Sequence, residues 1–160
     1  VGALREAAQY ARAAATAARA AAGGCACARN ASCETECPCA GADKDGDGLE
    51  NLIEYALLTS PTQSNPSPFT LAATPGQITL KLGRDPSRND VSVVIESATT
   101  LTGTWTAIAS SRNGGAFVPS AADVTIGETG SGPMNVTATV NTLAGPPARF
   151  FRVRVESSVP

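Results

Sequence analysis

Residues 69–160 alternate apolar and polar side chains with a period of two. In the clearest stretch, Ile78, Leu80 and Leu82 are separated by Thr79 and Lys81. Successive side chains of a strand point to opposite faces, so this period predicts strands that bury one face. The same alternation recurs at 91–96, 134–141 and 151–156, and shorter candidates lie at 69–72, 104–110 and 123–126.

These stretches are separated by turn residues, and about seven of them predict an antiparallel, Ig-like β-sandwich over residues 69–160. Trp105 is the only tryptophan of the chain. We expect it to pack in the core or at its rim. The alternative is that its ring is an exposed platform for a sugar.

Residues 1–24 follow a different, helical spacing, and half of them are alanine. Alanine has the highest helix propensity, and Gly23-Gly24 is a stop signal, so we predict a helix of about twenty residues. Its apolar positions follow the alternating four-three spacing of a coiled-coil seam: Leu4, Ala8, Ala11, Ala15, Ala18 and Ala22. A lone helix of this length is marginal in water. We expect that it either packs on its own domain or frays, or, as we favour, that it docks on copies of itself or on another subunit.

Residues 25–42 contain all five cysteines of the chain: Cys25, Cys27, Cys33, Cys37 and Cys39. This segment has too little apolar surface to fold unaided, so covalent or metal cross-links must hold it. Disulfides in an oxidising compartment are one possibility, and a cytosolic zinc site is the other. The Cys-x-Cys spacing differs from that of familiar zinc sites, which favours disulfides. The odd count leaves one thiol outside any internal bridges, and the sequence does not fix the connectivity.

Residues 43–54 match a twelve-residue calcium loop at every position. Three aspartates occupy positions one, three and five, and Gly48 occupies position six, where the chain must turn sharply. The predicted calcium ligands are Asp43, Asp45, Asp47, the Leu49 carbonyl, Asn51 and a bidentate Glu54. An acidic, Gly-rich surface turn could imitate the first half of this pattern. It does not explain Asn51 and Glu54, so we predict bound Ca²⁺.

The loop leads into a short amphipathic helix predicted over residues 49–59, which Ser60-Pro61 ends. Because the cysteine-rich segment precedes the loop, the arrangement is half an EF-hand. The predicted fold class is α+β, mainly β. Its parts are an assembly helix (1–24), a disulfide-rich segment (25–42), the calcium loop with its helix (43–61), a linker (62–68) and the β-sandwich (69–160).

Composition excludes several classes of function. The net charge is −2 and the pI about 5.1, so neither nucleic acid nor an anionic membrane is an expected partner. No apolar run is long enough to span a bilayer. The chain has no histidine, the commonest general base, and it lacks nucleotide-binding and nucleophile motifs. We therefore expect no enzymatic activity.

The stretch 43–55, followed by Thr59-Ser60-Pro61, resembles a module common in secreted bacterial surface proteins. In that module, a calcium loop and a short helix precede a sandwich that ends in a Phe/Leu-Arg-x-Arg-Val strand. Residues 151–155, Phe-Arg-Val-Arg-Val, match this strand. The loop is also similar to single calcium loops of dockerins and thrombospondin type 3 repeats. The resemblance covers residues 43–160 and implies an extracellular, cell-surface location.

Two functions fit these features. The first is a calcium-stabilised extracellular structural protein, a subunit of a pilus-like filament, surface fibre or surface layer that self-associates through residues 1–24. The second is an ancillary module of a secreted protein that binds a carbohydrate or serves adhesion, for which only Trp105, Tyr10 and Tyr55 could begin an aromatic platform. Asn30 and Asn135 begin Asn-x-Ser/Thr sequons, and the sequence leaves their glycosylation open.

Overall fold

The computed structural model describes residues 16–17, 41–65, 67–142 and 149–158. Within these ranges, one short helix precedes eight strands that form two antiparallel four-stranded sheets, packed as a sandwich. A further two-residue strand lies earlier in the chain. The elements are β1 (Thr16–Ala17), α1 (Asn51–Leu57), β2 (Phe69–Thr74), β3 (Gln77–Arg84), β4 (Val91–Ala98), β5 (Thr106–Arg112), β6 (Val118–Pro119), β7 (Val124–Thr129), β8 (Met134–Asn141) and β9 (Phe150–Ser157).

The two sheets have the strand orders β9-β4-β5-β6 and β2-β3-β8-β7. Three pairs of consecutive strands form antiparallel hairpins: β2–β3, β4–β5 and β7–β8. The pairings of β3 with β8 and of β4 with β9 join distant parts of the sequence. Each sheet therefore depends on a pairing between strands that are distant in the sequence.

The alternating pattern places its apolar residues between the sheets, as predicted. Leu80, Ile95, Val136 and Val153 are each at most 1% exposed. On β9, Phe151, Val153 and Val155 are buried, whereas the intervening arginines are partly exposed. The predicted sandwich is therefore confirmed, with two differences. Every predicted strand except β8 extends beyond its predicted stretch, and β6 was not predicted.

The helix α1 covers one side of the sandwich, where it contacts both β3 and β9. Its buried side chains Ile53, Ala56 and Leu57 join the core that the two sheets share. The helix is shorter than the predicted 49–59. It begins at Asn51 because Glu50 is extended, and it ends where Leu58 adopts a left-handed conformation at φ 65°. Within the described ranges, no helix is long and apolar enough to cross a membrane.

The strand β1 changes one expectation for the N-terminal segment. Thr16 and Ala17 pair in parallel with Arg154 and Val155 of β9, so the predicted helix is not found at these two residues. The open edge of β9 offers unpaired backbone groups, and a β-branched threonine suits a strand. The rest of the predicted helix 1–24 and the five cysteines lie outside the described residues.

Candidate metal site

The loop before α1 curls around the carboxylate of Asp43. Its Oδ1 accepts the Gly46 N–H at 2.7 Å, and its Oδ2 accepts the Gly48 N–H at 2.8 Å. The two glycines adopt φ values of 75° and 93°, which side chains other than glycine rarely tolerate. The predicted sharp turn at Gly48 is therefore present.

The three aspartates of the loop come together. Oxygen atoms of Asp43, Asp45 and Asp47 lie within 4.8 Å of one another. Hydrogen bonds from the loop's own backbone orient two of them: Asp47 N–H donates to Asp45 Oδ1 at 3.3 Å, and Leu49 N–H donates to Asp47 Oδ1 at 2.9 Å. Like charges at this separation repel, so the triad is an arrangement that could hold a metal ion.

Glu54, from the first turn of α1, places a fourth carboxylate near the triad. Its side chain is 0% exposed, and burial, followed by the charges of Asp45, Asp47 and Asp43, raises its pKa from 4.5 to about 7. Within the described part of the chain, Glu54 Oε2 and Asp45 Oδ2 are buried without a hydrogen-bond partner. A buried carboxylate oxygen without a partner is costly. A proton or a cation would remove that cost.

Leu49 and Asn51, the remaining predicted ligands, lie at the junction of loop and helix, and both are buried. The Asn51 N–H donates to the Ala42 carbonyl at 2.7 Å, which ties the end of the loop to the residue before its start. The structure therefore groups Asp43, Asp45 and Asp47 tightly and sets Glu54 beside them. Glu54 is not part of the group of carboxylates whose oxygen atoms all lie within 4.8 Å of one another.

Asn65 is a site residue that the sequence pattern did not predict. Its backbone N–H donates to Asp47 Oδ2 at 2.7 Å, and its side-chain Nδ2 donates to Glu54 Oε1 at 3.3 Å. The calcium-loop pattern ends at Glu54, and Asn65 lies in the predicted linker. The only signal there was Asn-Pro, a turn dipeptide.

Tyr55 of α1 fixes the helix to the loop between β3 and β4. The Tyr55 hydroxyl donates to Asp90 Oδ1 at 3.1 Å, and the Arg88 guanidinium lies 4.4 Å from the centre of the Tyr55 ring. Glu54, the buried carboxylate beside the triad, is the neighbour of Tyr55 in the sequence. The helix therefore connects the loop to the sandwich through adjacent residues.

Trp105 packs on the outer surface of the sheet that contains β9. The Arg152 guanidinium lies 4.4 Å from the ring centre, and Arg152 Nε also donates to Glu96 Oε2 at 2.6 Å. A ring face covered by a guanidinium is not free to stack on a sugar. Trp105 is half-buried and does not belong to the core cluster of the described residues.

Without a metal ion, the folded protein should lose stability as the pH rises. The pKa of Glu54 is raised to about 7 in the folded chain, so the folded state binds a proton more tightly than the unfolded state does. The contribution is fully present below pH 4.5 and is lost as the pH rises through about 7. One pKa unit corresponds to about 1.4 kcal/mol, so the loss is on the order of 3 kcal/mol.

Urea unfolding at pH 5 and pH 8 in metal-free buffer would measure this loss. The pKa of Glu128 is lowered, so its contribution to the free energy of unfolding changes only below the range from pH 5 to pH 8. In the Glu54→Gln variant, the free energy of unfolding should differ little between the two pH values. An unchanged slope in that variant would contradict the assignment to Glu54.

Comparisons with models of protein families, with curated proteins and with solved structures give no match for this chain.

Proposed function

We propose that this protein is a non-catalytic, calcium-stabilised structural protein that acts outside the cell as a subunit of a pilus-like filament, surface fibre or surface layer. The observation that carries the proposal is the buried, unpartnered oxygen of Glu54 beside the aspartate triad. A fold that buries such a group without a partner loses stability unless a proton or a cation joins it, and near neutral pH the proton is only partly bound.

The chemistry of the donors favours calcium over other metals. The available atoms are carboxylate and carbonyl oxygens, which suit hard cations, and the chain has no histidine. Magnesium requires a small, near-ideal octahedron, whereas calcium accepts six to eight oxygens in flexible arrangements. The twelve-residue spacing from Asp43 to Glu54 is that of a calcium loop.

The position of the site suggests what the ion does. It would join the loop to the first turn of α1, and α1 covers the side of the sandwich between β3 and β9. Calcium would therefore fix the helix that closes the core. Such a role stabilises a module and requires no chemistry, which agrees with the scarcity of catalytic side chains.

An extracellular location is supported by two features of the sequence. A single loop of this kind suits the millimolar calcium found outside cells, and a segment with five cysteines suits an oxidising compartment. The resemblance of residues 43–160 to modules of secreted bacterial surface proteins points in the same direction.

Self-association through residues 1–24 is the part of the proposal that a mutation tests best. The support is the run of alanines, whose small side chains let another backbone approach closely. The predicted helix that carries this seam is not continuous, because Thr16 and Ala17 pair with β9. A head-to-tail contact that does not close on itself propagates into a fibre. Replacing both Ala11 and Ala15 with Glu should abolish assembly, as judged by sedimentation and negative-stain microscopy, and leave calcium binding intact.

A matched control places the same charges on the opposite side of the predicted helix. The double variant Ala13→Glu and Ala20→Glu should still assemble if the seam makes the contact. Equal loss of assembly in both variants would contradict the seam. A wild-type chain that stays monomeric at high concentration with calcium would contradict the filament itself.

The binding-module alternative has less support. Two of the three aromatic residues that could begin a platform are already engaged: Trp105 with Arg152, and Tyr55 with Arg88 and Asp90. The third, Tyr10, lies outside the described residues.

A further inference from the structure

We propose that Asn65 is a positioning residue of the calcium site and couples the ion to the chain segment that enters β2. The inference rests on the calcium site proposed above. Asn65 lies beyond the twelve-residue loop and beyond α1, eleven residues after Glu54. It nevertheless contacts carboxylates from both halves of the site.

Asn65 donates a hydrogen bond to one oxygen of each of two carboxylates. The backbone N–H of Asn65 holds Asp47 Oδ2 at 2.7 Å, and its side-chain Nδ2 holds Glu54 Oε1 at 3.3 Å. Asp47 comes from the loop and Glu54 from α1. One residue thus fixes the two carboxylates relative to each other. In the described structure, Glu54 Oε2 remains without a hydrogen bond and is available to a cation.

The surroundings of the Asn65 amide settle which of its atoms faces Glu54. Nδ2 also donates to the Ser60 carbonyl at 2.8 Å and to the Gln63 carbonyl at 2.5 Å. These carbonyl oxygens accept hydrogen bonds and cannot donate them. The amide nitrogen therefore belongs at this position. Its two hydrogens serve three acceptors, so the 3.3 Å contact with Glu54 is a shared and weaker hydrogen bond in which Asn65 is the donor.

The same bonds link the site to the sandwich. Ser60 and Gln63 belong to the turn that follows α1, and Phe69, the first residue of β2, comes four residues after Asn65. Calcium that orders Asp47 and Glu54 would also order this turn. Conversely, a disordered turn would release both carboxylates and weaken the site.

Three variants of the full chain test the role of Asn65. Asn65→Ala removes the amide, and Asn65→Asp keeps its shape but replaces the donor with a carboxylate facing Glu54. Ser64→Ala changes the exposed neighbour and is the control. Calcium affinity would be measured by calorimetry, and melting temperature would be measured in calcium and in chelator.

Asn65→Ala should weaken calcium binding by about 10–100-fold, the range typical of residues that orient metal ligands. Asn65→Asp should weaken it at least as much, because the new carboxylate repels Glu54 and cannot donate to it. Ser64→Ala should leave the affinity unchanged. The stabilisation by calcium, measured as the difference between the two melting temperatures, should shrink in both Asn65 variants.

Two results would overturn this role. If Asn65→Ala lowers the melting temperature equally with and without calcium and leaves the affinity unchanged, Asn65 only supports the turn. If Asn65→Asp retains the affinity that Asn65→Ala loses, Asn65 is a direct calcium ligand through its oxygen. Failure of the calcium site itself would appear differently, because the wild-type chain would then take up no calcium.

Discussion

Calcium should raise the melting temperature of this protein by several degrees, and a chelator should reverse the effect. Without a cation, folding brings Asp43, Asp45, Asp47 and the buried Glu54 together against their repulsion. At one hundred times its dissociation constant, a ligand of the folded state alone contributes about 2.7 kcal/mol, or roughly 5–10 °C for a chain of this size. Scanning calorimetry in calcium and in chelator measures the shift.

Glu54→Gln is the sharpest variant for this prediction because it removes one charge and keeps the shape of the side chain. It should remove most of the calcium-dependent stabilisation. In chelator at pH 8 it should be at least as stable as the wild type, because a neutral amide is cheaper to bury than a carboxylate. An undiminished calcium shift in this variant would contradict a metal role for Glu54.

Breaking the ion pair between Arg84 and Glu128 should destabilise the sandwich by about 3–5 kcal/mol, the usual cost of leaving one buried charge unpaired. The pair is bidentate, with Arg84 Nε donating to Glu128 Oε1 at 3.1 Å and Nη2 donating to Oε2 at 2.7 Å. The side chains are only 6% and 13% exposed. Arg84 Nη1 also donates to the Gly114 carbonyl, and Glu128 accepts the Phe117 N–H, so the pair links its own sheet to the loop between β5 and β6.

Urea unfolding of Arg84→Met and Glu128→Gln would measure this loss. The double variant should recover part of it, since neither charge is then left alone. Glu156→Gln is a matched control from the more exposed pair with Arg154, where Glu156 is 41% exposed, and it should cost at most about 1 kcal/mol. Equal effects at Glu128 and Glu156 would contradict the special role of the buried pair.

The sandwich was predictable where a strand is long and has one buried face. The alternation in β3, β8 and β9 follows directly from that burial, whereas β4 is buried on both faces from Val93 to Ala98. The strand β6 was not predictable, because two residues are too few to show a period. Arg84 lies on the same inward-facing side of β3 as Leu80 and Leu82. Its partner Glu128 lies 44 residues away in the sequence. Nothing local in the sequence indicates that the two meet.

The candidate metal site also has a part that the sequence predicts and a part that it does not. Its loop was predictable because ligand positions within one twelve-residue segment are fixed by local geometry. Asn65 reaches the site only because the chain turns back after α1, and this turn depends on contacts with Ser60 and Gln63. Pairing of Thr16 and Ala17 with β9 likewise depends on an edge that forms only after folding.

Calcium binding is the central claim, and calorimetric titration of the metal-free, full-length chain tests it most directly. We expect saturable uptake of one calcium ion per chain at or below millimolar concentration, the affinity range of extracellular calcium-binding modules. Near pH 7, uptake should release protons, because the pKa of Glu54 is about 7 before the ion binds. A folded chain that binds no calcium at millimolar concentration would contradict the account.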